Sequence, residues 1–122
     1  MKAFLVASAL TALLASSAAL AGGDAAAGKT VFAKCAICHS NQAGKTLLGP
    51  SLFGVVGRHS ASLPGFAFSE AMKKVDKTWD EATLEAYLAD PKAMVPGTKM
   101  TFAGLPNADD RANVIAYLAT LK

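Results

Sequence analysis

Two cysteines and a histidine lie close together in the stretch KCAICHS. Cys35 and Cys38 are separated by two residues, and His39 directly follows the second cysteine. The chain of 122 residues has no further cysteine with which either could form a disulfide. The function of this cluster must therefore use two thiols and an imidazole within about one turn of chain.

Two common uses of paired cysteines fit the sequence poorly. A thioredoxin-like dithiol follows a strand and lies beside a parallel sheet, but no segment here alternates apolar and polar residues for long. A structural zinc ion takes four protein ligands, commonly as two pairs. Cys35, Cys38 and His39 supply three, and the only other histidine, His59, has no partner at a ligand spacing.

Covalent attachment of haem fits the same spacing better. Cys-x-x-Cys-His is the sequence signature of a c-type haem. One helical turn places both thiols on one side, where each can add to a vinyl group as a thioether, and the next imidazole can bind the iron. We therefore predict one haem c, attached through Cys35 and Cys38 and ligated by His39.

The first 21 residues are typical of a secretory signal peptide. Lys2 provides a basic start, residues 3–21 are almost entirely small or apolar, and they end in the A-x-A sequence ALA. We predict cleavage after Ala21, an exported periplasmic protein and a single domain at residues 22–122. An uncleaved membrane anchor is the alternative.

The charged residues argue against two functions, nucleic-acid binding and catalysis by a pair of carboxylates. The net charge of the chain is +3, and loss of Lys2 with the signal would leave +2. This charge is too small for a nucleic-acid-binding protein, and no basic run interleaves with aromatic residues. Asp109 and Asp110 are adjacent carboxylates, but they fall in the first turn of a predicted helix, where acids complement the helix dipole. They are therefore interpreted as capping charges.

The hydrophobic pattern predicts an all-α fold. Predicted helices run from Asp24 to Lys34, from Thr78 to a stop at Asp90-Pro91, from Asn107 to Lys122 and, as a shorter piece, from Ser69 to Lys74. Asp24 and Asn107 are candidate N-caps. Thr78 and Glu81 have the spacing of a capping box. Gly28 costs its helix about 1 kcal/mol relative to alanine, and such a glycine indicates close approach of another backbone.

Two long segments between the helices carry glycine and proline. They span residues 40–68 and 91–106. Loops of this length are uncommon in a compact domain unless something orders them. A buried porphyrin would provide the hydrophobic surface around which both segments could wrap.

The function depends on the iron ligand opposite His39. An open iron face permits ligand binding or peroxide chemistry, whereas a filled face favours electron transfer. Met100 lies in VPGTKMTFAGLP, which predicts a shaped loop, so it is the first candidate. Met94 lies in the same loop and remains open. Met72 falls in the short helix, where methionine usually fills a core, and His59 is expected to be solvated.

Four stretches of the sequence resemble the small soluble class I cytochromes c, which include mitochondrial cytochrome c and its bacterial periplasmic relatives. In chain order they are GKTVFAKCAICHS, LLGPSLFGVVGR, TWDEATLEAYLADPKAMVPGTKMTFAGLP and DRANVIAYLATLK. The resemblance covers nearly all of residues 22–122. It implies a cytochrome c fold, with three main helices, short helical pieces and long loops around one covalently bound haem. It also implies that Met100 is the sixth ligand of the iron.

The resemblance implies roles for further residues. The carbonyl of Pro50 would accept a hydrogen bond from the His39 ring, and Tyr87 would donate one to the Met100 sulfur. Four residues would serve the haem propionates: Arg58 and Trp79 directly, with Thr98 and Ser69 as helpers. Four residues would join the first helix to the last: Gly28, Phe32, Tyr117 and Leu118.

Two positions depart from the family pattern. Phe68 stands where a tyrosine is frequent, and Met72 stands where an asparagine is common. Both make the predicted pocket less polar. A drier pocket disfavours ferric iron, so we expect a higher reduction potential.

The resemblance implies an electron carrier and not an enzyme. It would shuttle electrons between a bc-type quinol-oxidising complex and a terminal oxidase, a photosynthetic reaction centre or a periplasmic dehydrogenase. We expect a monomer that makes peripheral contact with these membrane complexes. Lys34, Lys92 and Lys99 would surround the exposed haem edge and steer an acidic partner. The alternatives are a haem enzyme or small-ligand sensor with a displaceable sixth ligand, and a domain of a larger redox enzyme.

Overall fold

The computed structural model describes residues 22–122, and the predicted signal peptide lies outside the described residues. Within this range the fold is helical, as predicted, and its one β interaction is an isolated antiparallel bridge between His59 and Thr78. The five helices are α1 (Ala25–Phe32), α2 (Glu70–Lys73), α3 (Glu81–Ala89), α4 (Pro91–Met94) and α5 (Ala108–Ala119). None of these helices has the length and hydrophobicity needed to cross a membrane.

The first and last helices pack directly against each other. A Cβ on Gly28 would overlap the carbonyl oxygen of Asn113, so α1 can approach α5 this closely only with glycine at that position. The rings of Phe32 and Tyr117 lie with their centroids 5.2 Å apart. The Asp24 amide donates to Asn113 Oδ1 at 2.9 Å. The predicted contact between these two helices is confirmed.

The caps of α1 and α5 agree with the sequence, although both helices are shorter than predicted. Asp24 accepts from the amides of Ala26 and Ala27, and Asn107 accepts from those of Asp109 and Asp110. α1 ends at Phe32, whereas Lys34 was predicted. α5 ends at Ala119, where the chain was predicted to stay helical to residue 122. Both ends continue in tighter turn-like hydrogen bonds, which helical periodicity does not distinguish from a helix.

The predicted capping box at Thr78 is wrong. Asp80 is the N-cap of α3, and its Oδ1 accepts from the Thr83 amide at 2.8 Å. Thr78 pairs instead with His59, and the Trp79 amide donates to Arg58 O at 2.8 Å. These contacts between distant segments keep the chain extended until Asp80, so the helix starts two residues later.

Pro91 follows the end of one helix and is the first residue of the next. α3 ends at Ala89, as the Asp90-Pro91 sequence predicted, but Pro91 then opens the short helix α4. Asp90 caps α4 by accepting from the Ala93 amide at 3.3 Å. Because the first turn of a helix needs no hydrogen bond from residue N1, proline suits that position. Met94, predicted to lie in a loop, is therefore the last residue of α4.

Arg111 of α5 joins α3 to the last long loop. Its Nη1 donates to Leu105 O at 2.7 Å and to Pro106 O at 3.1 Å. Its Nε lies 2.5 Å from Glu85 Oε1 of α3. These contacts position the end of the loop that carries Met100. The buried apolar core around them comprises Phe32, Val55, Trp79, Leu84, Tyr87, Leu88, Val95, Leu105, Val114, Ile115, Tyr117 and Leu118.

Candidate haem site

The cysteines and the histidine lie on a tight turn that follows α1. Cys38 N donates to Cys35 O at 3.0 Å, and His39 N donates to the same oxygen at 2.8 Å. The turn therefore resembles one turn of helix, as the proposed attachment of two thiols to one porphyrin edge requires. Both thiols are free and partly buried. Burial raises the pKa of the Cys35 thiol, and the neighbouring Cys38 raises it further.

The His39 ring is oriented by backbone on two sides. Its Nδ1 lies 2.7 Å from Pro50 O. A carbonyl oxygen only accepts hydrogen bonds, so Nδ1 carries the proton and the lone pair of Nε2 stays available for a metal. Gly49 packs against the ring, since a Cβ there would stand 2.5 Å from His39 Cε1. The Gly49 amide also donates to Cys38 O at 2.7 Å, which ties this loop to the attachment turn.

Met100 lies in an irregular segment after α4. Its amide donates to Thr98 Oγ1 at 3.1 Å, and Gly97 adopts a φ of +82°, which lets the chain turn before Thr98. The Tyr87 hydroxyl lies 3.6 Å from Met100 Sδ and donates to it. Burial raises the pKa of Tyr87 to about 12, so the phenol remains a donor throughout the physiological range.

The other candidate ligands are placed differently. Met72 lies in α2 and Met94 ends α4, and both pack partly buried against the core. His59 is exposed, and its ring faces Asp76 and the carbonyl of Ser60. Within residues 22–122, Met100 is the methionine whose sulfur accepts a hydrogen bond.

Arg58 directs its guanidinium at neutral oxygens. It donates to Ser51 O at 3.1 Å and to Phe53 O at 2.5 Å. Partial burial lowers its pKa. None of the ion pairs among residues 22–122 includes Arg58, so this cation has no carboxylate partner from the described chain. An anionic group such as a haem propionate would supply the missing charge.

A continuous series of contacts links the two candidate iron ligands. The tilted rings of Trp79 and Tyr87 pack together with their centroids 4.8 Å apart, and the Trp79 amide donates to Arg58 O. Arg58 in turn bonds the carbonyl of Ser51, the residue after Pro50. In order, the series runs through His39, Pro50, Ser51, Arg58, Trp79, Tyr87 and Met100. The structure thus brings nearly all of the predicted site residues into one connected region.

Two predicted helpers of the propionates have other contacts in the described chain. Thr98 Oγ1 accepts from the Met100 amide. Ser69 caps α2 by accepting from the Met72 amide at 3.1 Å. Thr98 therefore shapes the loop that presents Met100, a contribution that the resemblance did not indicate.

Sequence reasoning missed Ser51 and the packing role of Gly49. Ser51 is buried, donates to Gln42 O at 2.6 Å and accepts from the Phe53 amide at 3.2 Å. This serine stabilises the turn between Pro50 and Phe53. A Gly-Pro dipeptide such as Gly49-Pro50 is typical of a turn, but no sequence period indicated that this turn lies against the His39 ring.

Comparison with known proteins places the chain in a family. The family model described as Cytochrome c matches residues 25–122. Cytochrome c2 of Rhodomicrobium vannielii is 53% identical over 123 residues, covering 98% of this chain and 97% of that protein. Cytochrome c2 iso-2 of Magnetospirillum molischianum is 56% identical over 81% of this chain and 99% of its own length. The solved structure of cytochrome cH from Methylobacterium extorquens has a TM-score of 0.76 and 49% identity, over 80% of this chain and 99% of that one.

The chain belongs to the cytochrome c family. Members carry one covalently bound haem c, and Cys35 and Cys38 are the cysteines available for its attachment. The protein is accordingly an electron carrier with a c-type haem and not an enzyme. The donor set fits this group: His39 supplies an imidazole with a free Nε2, Met100 supplies a thioether sulfur, and Arg58 is a cation without a carboxylate partner among the described residues.

Proposed function

We propose that this protein is a periplasmic one-electron carrier whose haem iron is held between His39 and Met100. The observation that carries the proposal is the pair of hydrogen bonds behind the two ligands. Pro50 O lies 2.7 Å from His39 Nδ1, and the Tyr87 hydroxyl lies 3.6 Å from Met100 Sδ. Each bond leaves the metal-binding lone pair of its ligand available.

Each of these residues has a distinct task. When bound, haem c supplies an iron centre that takes up and releases one electron. Pro50 holds the His39 ring in one orientation and raises its basicity. Tyr87 positions the Met100 sulfur, a soft ligand that favours ferrous iron and raises the reduction potential. Because both ligands are held by the protein, the site needs little rearrangement when its charge changes.

The side chains around Met100 are largely apolar. Trp79 and Tyr87 are buried, and Phe102 packs partly buried against the same core. An iron whose two faces are both filled by protein ligands favours electron transfer over ligand chemistry. Arg58 and Trp79 would contact the propionates, and the proposal assigns them no part in ligating iron.

Replacing Met100 tests the ligand assignment. The oxidised Met100→Ala protein should lose the far-red sulfur-to-iron charge-transfer band, bind cyanide quickly and have a lower reduction potential. Met94→Leu and Met72→Leu are matched controls that should keep the band. If Met94→Leu abolished the band and Met100→Ala kept it, the iron would have another ligand. If the unaltered protein lacked the band and bound carbon monoxide quickly, the sensor or enzyme alternative would replace this proposal.

The proposed partners are acidic surfaces of membrane redox complexes. A bc-type quinol-oxidising complex would be the donor, and a terminal oxidase, a photosynthetic reaction centre or a periplasmic dehydrogenase the other partner. Lys34 precedes Cys35, Lys99 precedes Met100, and Lys92 lies in α4, so three exposed cations lie near the proposed ligands along the chain. Such a group of positive charges accelerates encounter with an acidic partner.

Changing these lysines tests electrostatic steering. The triple variant Lys34→Gln, Lys92→Gln, Lys99→Gln should react about tenfold more slowly with the partner complex at low salt and little differently at high salt. Lys73→Gln, Lys74→Gln, Lys77→Gln removes equal charge elsewhere and is the matched control. Rates that are equal across ionic strength for both triple variants would contradict steering and leave the ligand assignment untouched.

A further inference from the structure

His59 lies just before residues 61–75, close to the point where that segment ends. Ser60 N donates to Lys77 O at 2.7 Å, and Lys77 N donates to Ser60 Oγ at 2.9 Å. His59 and Thr78 form the isolated antiparallel bridge next to these bonds. Residues 57–60 and 76–79 therefore form a two-stranded neck, and the chain between them, residues 61–75, depends on this neck for closure.

Both nitrogens of the His59 ring face hydrogen-bond acceptors. Nε2 lies 2.9 Å from Asp76 Oδ1, and Nδ1 lies 3.0 Å from Ser60 O. A carboxylate and a carbonyl oxygen both need a donor, but a neutral imidazole carries only one N–H. The imidazolium carries two, so only the protonated ring satisfies both contacts. Deprotonation of His59 removes one hydrogen bond from the neck and the charge that attracts Asp76.

Other charged groups near the neck are engaged elsewhere. Arg58 directs its guanidinium to the carbonyls of Ser51 and Phe53. The positive charge of Lys77 interacts with the carboxylate of Asp80. The pKa of Asp80 is lowered mainly by the hydrogen bond from the Thr83 amide and to a smaller extent by the Lys77 charge. Among the described residues, Asp76 is the charged group that contacts the His59 ring.

Asp76 reaches the ring through an unusual backbone conformation. Its φ is +47°, in the left-handed region that aspartate and asparagine adopt more readily than most other residues. An asparagine at this position would keep the turn and remove the charge. This separates the electrostatic role of Asp76 from its conformational role.

The chain closed by the neck carries apolar residues that pack on the core. Ala71, Met72 and Val75 are partly buried against the core cluster. The rings of Phe66 and Phe68 pack edge to face with their centroids 4.8 Å apart. Loosening the neck would therefore loosen one wall of the apolar interior.

We propose that His59 and Asp76 form a proton-operated latch on the neck. The latch is closed most firmly when the imidazole is protonated and the carboxylate is charged, because both acceptors then have a donor and the two charges attract. It weakens when the imidazole loses its second proton. Because both side chains are largely exposed, the pair contributes modestly, and we expect a change of about threefold in local opening.

Amide hydrogen exchange of the oxidised holoprotein tests the latch. The readouts are the protection factors of the Ser60 and Lys77 amides, corrected for intrinsic exchange, at pH 5.5 and pH 8. In the unaltered protein both should fall about threefold at the higher pH, while amides in the α1–α5 interface should not. Asp76→Asn should make the Ser60 and Lys77 protection independent of pH. Glu70→Gln breaks the exposed Glu70–Lys73 pair of α2 and, as the matched control, should keep the pH dependence.

Two outcomes would overturn the latch. One is a pH-independent protection of both amides in the unaltered protein. The other is the same threefold fall in Asp76→Asn, which would show that another group responds to pH. Neither outcome bears on iron ligation, since the test measures local opening of residues that are not proposed iron ligands.

Discussion

The α1–α5 interface and the loops around His39 and Met100 are stabilised in different ways. In the interface, backbone touches backbone at Gly28 and Asn113, and Phe32 packs on Tyr117. The loops place each candidate ligand by a single hydrogen bond to another segment. Helix packing thus provides stability through buried contact, whereas the loops fix the positions of the two candidate ligands.

This difference predicts that mutations in the two regions will have different consequences. A change in the interface should alter the free energy of unfolding and leave the reduction potential of the folded protein nearly unchanged. A change beside a ligand should do the reverse. The following variants, from the largest expected effect to the smallest, test this separation.

Gly28→Ala should be the most destabilising of these changes. Alanine is the better helix former by about 1 kcal/mol, but its methyl group would overlap Asn113 O and force α1 away from α5. We expect a net loss of about 3 kcal/mol in the free energy of unfolding. Denaturant unfolding of the holoprotein measures it, with Thr30→Ala as the control on the exposed side of α1. Equal stability of the two variants would mean that the interface tolerates separation.

Arg111→Ala should affect the connection between the two regions. It removes the hydrogen bonds to the carbonyls of Leu105 and Pro106, which are then left without this donor. We expect the free energy of unfolding to fall by about 2 kcal/mol. Glu85→Gln removes only the partly exposed charge partner and should cost less than half as much. If both variants lowered the free energy of unfolding equally, the main contribution of Arg111 to stability would be the ion pair and not the contacts with the carbonyls.

Tyr87→Phe should change the potential more than the fold. The variant keeps the ring that packs against Trp79 and loses only the hydroxyl that donates to Met100. A sulfur without this donor stabilises ferric iron better, so the potential should fall by about 30 mV, from a weak hydrogen bond of under 1 kcal/mol. Redox titration measures the potential and denaturant unfolding measures the stability. A large loss of stability with an unchanged potential would contradict the proposed separation.

Asp80→Asn should have the smallest effect on stability, and the effect should be confined to acidic pH. Hydrogen bonding to the Thr83 amide lowers the pKa of Asp80 in the folded protein. The charged carboxylate therefore stabilises the fold above its unfolded pKa, and this contribution is lost as the pH falls through the folded pKa. Asparagine still caps α3 but does not titrate. Acid unfolding of the variant should show a shallower dependence on pH, with Asp109→Asn as a control at another helix start.

Local sequence signals predicted much of the fold. Asp24 and Asn107 cap the helices that they were predicted to cap, since capping depends on one side chain and the next few amides. The start of α3 was predicted two residues early because Thr78 and Trp79 pair with a segment far away in sequence. The helix α4 was missed because proline marks both the end of one helix and the first turn of the next.

Only part of the site could be predicted from the residues themselves. The Cys-x-x-Cys-His motif is local, and it predicted haem attachment in combination with the signal peptide, the all-helical pattern and the two long loops. Spacing left Met94 open beside Met100. The contacts of Pro50 with His39 and of Tyr87 with Met100 join loops whose path no sequence period encodes, so they were expected only from the family resemblance. The signal peptide, the iron ligands and the partners remain predictions.

The pairing of α1 with α5 has a consequence for the order of events during synthesis. The hydrogen bond from Asp24 to Asn113 spans 89 residues, so α1 cannot pair with α5 until the chain has been made as far as Asn113. The attachment turn directly after α1 therefore belongs to a segment whose preceding helix is fixed only once all of the intervening chain is present.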